Sequence, residues 1–344
     1  MPSSPSPFLF LVAILAVVSI SIPNAVEGWS EDEILIDSPL LTSKIGTNRT
    51  VIVDLSGKEQ FTSVQAAVDS IPEGNAEWII VHVRKGVYRE KITIPKNKPY
   101  IFLRGNGKAK TSIIWDDSST DNAESATLTV FAPRVVVWGI SFKNEAPLGD
   151  AGATNNRSVA AYVSADMVAF YHCRFFSKQN TLFDAKGKHY YENCYITGSI
   201  DFIFGRGRSI FKSCEIFVVA DDRTTIRGSI TAHNRQREDD NSGFIFIKGK
   251  VYGVGGVYLG RARAAYSRVI FTKTYFSKTI VPEGWTNWSY NESTDNLSLW
   301  EHDCYGPGSN TDHRVPWSKQ RTAEQVHHFA TIDFIDGKEW LPIY

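Results

Sequence analysis

The sequence predicts an all-β chain wound as a parallel β-helix, with one short helix near its start. Three observations carry this expectation. Strand-length segments such as YIFLRGNG, TSIIWD, TLTVFA and VVVWGISFKN follow one another, divided by Gly, Asn, Asp and Lys. The segments FYHCRFF, YYENCYI and FKSCEIF place Cys173, Cys194 and Cys214 at intervals of 21 and 20 residues. Such a period suggests stacked coils, each covering the apolar face of the last. Finally, only FTSVQAAVDSIP shows helical spacing among these segments.

The chain opens with an apolar run from Phe8 to Ile22, followed by small and polar residues around Ala25 and Gly28. This reads as a secretory signal over residues 1–28, too short for the roughly 20 residues of a membrane span. Residues 29–344 are then expected to form a single domain, since no Pro/Gly/Ser-rich linker divides them. In FTSVQAAVDSIP, Thr62 or Ser63 is the N-cap, Val64, Ala67, Val68 and Ile71 form the apolar face, and Pro72 stops the helix. In the coils that follow, the three periodic cysteines fit an inward ladder of small apolar side chains. A zinc site would need the close C-x2-4-C pairs that the series lacks.

Lys plus Arg and Asp plus Glu both number 37, so no global field draws the chain to nucleic acid or to a membrane. A charged partner has to be recognised locally. Sequons at Asn48, Asn156, Asn287, Asn291 and Asn296 agree with an extracellular glycoprotein. The flank of a β-helix suits extended polymers, and shape alone admits lyases, glycosidases, esterases and binders.

At GSIDFIFG, residues 198–205, the chain resembles the plant pectin methylesterase family. The likeness continues through FTSVQAAVDSIP, GVYRE, SAT (Ser125–Thr127), ITAHNR, YLGR, VPEGW and YGPGSN, over nearly the whole chain after the signal. It implies a right-handed, single-stranded parallel β-helix that removes methyl groups from galacturonate esters of pectin, without metal or cofactor, in the cell wall. A monomer is expected, and a proteinaceous inhibitor is admitted as a further partner. In the family mechanism one aspartate attacks the ester carbonyl, a second protonates the departing methanol and then activates water, glutamines hold the oxyanion, and an arginine orients the nucleophile.

Carried over by position, Asp201 matches the nucleophile, Gln179 an oxyanion glutamine and Arg261 the orienting arginine. The family's Q-D-T-L reads Gln179-Asn180-Thr181-Leu182, so an amide occupies the acid/base position. Three further departures raise positive charge: Arg157 stands for a glutamine, Lys178 for an aromatic residue and Arg263 for a tryptophan. Arg157, Lys178 and Arg263 are therefore candidate ligands for sugar carboxylates. Thr127 and Trp285, within SAT and VPEGW, complete the substrate-binding candidates.

An asparagine amide neither donates a proton to methoxide nor takes one from water, and loss of a general acid/base costs about 10²- to 10⁴-fold. Asp184, four residues after Asn180, would share its face on a regular strand but starts about 13 Å away. Two readings follow: a slowed pectinesterase that still uses Asp201, or an inactive family member that holds demethylated pectin in a basic groove. Asp221-Asp222 and Glu238-Asp239-Asp240 read as solvated turns, and His172, His233 and His327-His328 lack metal-ligand spacing.

Overall fold

The computed structural model describes residues 38–47, 49–147, 157–219, 228–288 and 290–344. The residues expected to form the secretory signal lie outside them. From Ile36 onward the chain forms one compact unit. It is a right-handed parallel β-helix of three sheets. Among the described residues the long sheet has 11 strands, from Thr50–Val53 to Lys319–Gln320. The other two have eight each, one running from Gly86–Arg89 to Tyr275–Phe276 and one from Ile92–Ile94 to Trp285–Thr286. The last of these carries the candidate site and is called the site sheet below. Each coil visits the three sheets in turn, and every strand pairs in parallel with its counterparts one coil away.

The predicted helix forms over Val64–Asp69, with Ser63 as N-cap accepting from the Ala66 N–H. Its apolar face is buried against the first strands of the long sheet and of the site sheet, closing the N-terminal mouth of the coil. Two elements lacked helical signals: a helix at Ser38–Ile45 and another at Ala323–His327, the latter fixed by a Thr322/Gln325 capping box. No helix among the described residues is long and apolar enough to cross a membrane.

The bend out of the long sheet repeats one device. Gly139, His172, Asn193, Ser213, Lys248, Lys273 and Asp303 all adopt left-handed φ, between 50° and 66°. Each non-glycine case costs about 1 kcal/mol or more. The cost is offset by an unbroken ladder: His172, Asn193 and Ser213 each donate their N–H to the carbonyl of Glu192, Lys212 and Ile247 on the next coil, at 2.9, 3.1 and 2.8 Å. The residue after each bend points inward, which puts Cys173, Cys194 and Cys214 in one buried column. They are unpaired thiols, and burial pushes the pKa of Cys173 and Cys194 well up. The ladder is structural packing.

Beside it stands an aromatic column, Phe170, Tyr191, Phe211, Phe246 and Phe271, with near-parallel rings 4.3–5.2 Å apart. Such contacts add about 0.5–1.5 kcal/mol per pair beyond burial. Asp184 interrupts the apolar interior. It is fully buried, accepts from Tyr191 Oη (2.7 Å) and Ser209 Oγ (2.7 Å), and pairs with His189 Nδ1 at 3.0 Å. Burial lowers the His189 pKa, but the Asp184 charge and hydrogen bond, with the Ala165 carbonyl, outweigh it and leave a net rise.

Phe211→Ala should lower the unfolding free energy by about 3–5 kcal/mol in a urea titration. A loss under about 1 kcal/mol would show that the aromatic column is not cooperative packing. Because the folded His189 pKa is raised, its contribution is fully present below the unfolded value and is lost as pH rises through the folded one. The stability gap between wild type and His189→Gln should therefore be largest near about pH 5 and narrow towards about pH 9. A gap independent of pH would mean that the His189 charge plays no part.

Candidate active site

Asp201 sits in the turn between the strands Tyr195–Gly198 and Ile203–Gly205. The glycines bounding GSIDFIFG are required by close approach: a Cβ at Gly198 would lie 2.4 Å from the Phe202 Cβ, and one at Gly205, where φ is +127°, would lie 1.9 Å from the Asp184 carbonyl oxygen. Asp201 itself has φ +45° and is 8 % exposed. Its N–H donates to the Ser229 carbonyl on the next coil at 2.7 Å, and the Ser229 hydroxyl donates to Asp201 Oδ1. Arg261, two strands further along the site sheet, donates from Nε to Oδ1 and Oδ2 at 3.0 and 2.8 Å and from Nη2 to Oδ2 at 2.7 Å. The other face of its guanidinium lies 5.2 Å from the ring of Trp288, an exposed side chain.

Asn180 is the counterpart of Asp201 one coil earlier. Leu182 pairs with Ile203, so the residues two places before each of them occupy matching positions, about 4.8 Å apart along the coil axis. Asn180 also takes the left-handed conformation, φ +60°. Its Nδ2 donates to Asn122 Oδ1 at 2.9 Å, tying it to the loop before SAT. The turn is held from below by Ser158 and Ser177, whose hydroxyls donate to the Gln179 carbonyl at 3.3 and 3.2 Å. The Gln179 amide makes no hydrogen bond among the described residues, which leaves it able to receive a ligand oxygen.

The basic candidates converge here. The Arg157 backbone pairs with Ser119, and its Nη1 donates to the Thr120 carbonyl at 2.9 Å. Lys178, beside Gln179, is exposed. Desolvation and then the Arg261 charge lower the Arg263 pKa, Asp201 opposes them, and Arg157 lowers it further. Arg263 thus feels two other guanidinium groups and the Asp201 carboxylate.

Two expected substrate ligands do not reach the groove. Thr127 is fully buried, with its hydroxyl donating to the Lys143 carbonyl at 3.1 Å; Ser125 of the same motif accepts from the Val159 N–H. SAT fastens coils. Trp285 is 1 % exposed and donates from Nε1 to Glu301, which Arg314 grips with two 2.9 Å bonds. Nor does Asp184 share a face with Asn180, because the left-handed turn at Asn180 breaks the strand alternation and Asp184 faces the interior.

Ser229, Asn122 and Trp288 escaped the sequence reading. The first two meet the site only through pairing between distant coils, and nothing in VPEGWTNW separates the exposed Trp288 from the buried Trp285. Glu238-Asp239-Asp240 form a turn, with Asp239 bound to Arg237 and Asp240 to Arg206 and the Ser242 N–H. Asp221-Asp222 lie outside the described residues, as do Asn48 and Asn156; Asn287, Asn291 and Asn296 are exposed. Among the described residues no three His, Cys, Asp or Glu side chains converge as a metal site.

The pectinesterase family model matches residues 50–338. Probable pectinesterase 67 of Arabidopsis thaliana is 56 % identical over 341 residues, 98 % of this chain and 97 % of that one. Probable pectinesterase 55 of the same plant is 42 % identical, over 85 % and 89 %. Among solved structures, pectin methylesterase from carrot superposes with a TM-score of 0.79 at 28 % identity, covering 86 % of this chain and 95 % of its own. The enzyme from Aspergillus niger gives 0.73 at 25 % identity, over 86 % and 96 %. The chain belongs to the pectinesterase family.

Proposed function

We propose that this protein acts on cell-wall pectin as a methylesterase of reduced turnover, with Asp201 as nucleophile and Gln179 as oxyanion donor. The supporting observation is the bidentate grip of Arg261 on Asp201, next to an amide at position 180. Arg261 and Ser229 orient the Asp201 carboxylate for attack on the ester carbonyl carbon. The carbonyl electrons move to an oxyanion, which the free Gln179 amide can meet. Collapse of this intermediate expels methoxide, which needs a proton, and leaves a mixed anhydride between the galacturonyl group and Asp201, whose hydrolysis to free galacturonate and Asp201 then needs a water stripped of one. Asn180 supplies neither, so both proton transfers fall to solvent. Secretion after removal of residues 1–28 belongs to the same reading.

A second reading, binding of demethylated pectin without turnover, is favoured by the guanidinium cluster. Arg261 grips the Asp201 carboxylate, the Arg263 side chain feels the charges of both Arg261 and Arg157, and an incoming galacturonate anion would relieve that repulsion. A neutral methyl ester would not.

Methanol release from highly methylated pectin should be at least about 10²-fold slower than for a family member with both aspartates, and Asn180→Asp should recover part of the loss. Equal rates for the wild type and such a relative would overturn the impairment. Calorimetry with defined oligogalacturonates should show tighter binding of the demethylated form. Exposed contacts from Arg157, Lys178 and Arg263 at about 0.2–1 kcal/mol each amount to roughly a 3- to 150-fold preference. The preference should shrink as salt shortens the Debye length from about 10 Å towards about 3 Å, and equal affinities at low salt would leave the basic groove without support.

A further inference from the structure

The strands of the site sheet end at a corner remote from Asp201, where two adjoining cavities of about 550 and 650 Å³ share Asp166, Lys186 and Gly187. Arg206, just beyond the strand that follows Asp201, lies five residues on, about 16 Å along an extended chain. The charges at this corner do not balance. Asp240 is engaged by Arg206 at 2.5 Å and Asp166 by Lys188 at 3.5 Å. Lys96 and Lys186 line the same space with no ion pair among the described residues. From the register that joins Ile94, Val130, Val163 and Asp184, they stand three coils apart, about 14 Å along the coil axis. Between them the exposed Phe131 ring and Pro133 give an apolar floor. At the other end Ser242 is 5 % exposed, and its Oγ is a buried polar atom of the lining without a hydrogen-bond partner among the described residues.

We infer that this corner is a second anion-binding site, which takes the carboxylates of a demethylated uronate chain separately from the Asp201 groove. The choice of ligand rests on the pectin reading above. Two unpaired cations spaced over several coils suit a polymer with carboxylates repeated along its length better than a single compact anion. The Phe131 ring between them suits the C–H face of a sugar. Retention of product chains at the corner would keep the protein on pectin already demethylated.

The test is calorimetry on the full chain with a fully demethylated oligogalacturonate at low salt, repeated with inorganic phosphate as competitor. Two classes of site are expected. The double variant Lys96→Ala, Lys186→Ala should weaken one class by about 2- to 30-fold and leave methanol release unchanged. Arg263→Ala should weaken the other. Both lysines are exposed, so the fold is expected to survive, with the wild-type thermal midpoint as the check. Absence of any class of site weakened by the lysine variant overturns the proposal. Displacement of the oligomer by an equal concentration of inorganic phosphate overturns the uronate assignment. Lysine-dependent binding that persists while the Arg263-dependent class is missing supports the corner and removes the basic-groove reading alone.

Discussion

The hydrogen-bonded register between successive coils is the constraint on which everything else depends. Each strand is held by the strand one coil before and the strand one coil after, so a residue's neighbours in space are those about one turn away in sequence. This rule stacks the cysteines and the aromatic rings, and it also sets Asn180 beside Asp201 and Ser229 beyond it. Arg261 then completes the pair from two strands further on. A slip of one residue in any coil would carry an inward side chain to the surface and separate these groups. The precision of the site is therefore inherited from the scaffold, and the turn at Asp201 can adopt a costly backbone conformation because the ladders on both sides hold it.

Much of this was legible in the sequence, because a β-helix writes its period into the chain. The 21- and 20-residue spacing of Cys173, Cys194 and Cys214 reports the length of one coil directly. The helix at Val64–Asp69 announces itself through its cap and apolar face. Asp201 and Arg261, named from separate motifs, meet as expected. What stayed hidden depends on direction. Motif membership does not say whether a side chain faces the groove or the interior, and so Thr127 and Trp285, named as ligands, turn out to fasten coils. The alternation expected of a strand also fails at Asn180, where a left-handed residue resets which side comes next, and Asp184 falls inside.

Charge is arranged unevenly around the two stacked positions. Asp201 is nearly enclosed and held by a guanidinium and a hydroxyl, whereas the Asn180 side chain donates to another amide, that of Asn122. Around the amide at position 180 stand the cations Arg157, Lys178 and Arg263, and the backbone register that carries them is the same that carries Asp201.

The short helix over Val64–Asp69 has a role beyond its own stability. A coil of parallel strands ends in a ring of unpaired backbone donors and acceptors around an apolar bore, and such an edge is a template on which another chain can continue the stack. Val64, Ala67 and Val68 plug that bore with side chains, and Glu90 accepts hydrogen bonds from the N–H groups of Val64 and Gln65 at 2.9 and 3.0 Å, so the helix stays in place. Loss of this stopper would open the stack at one end and leave an edge prone to end-to-end fibre growth.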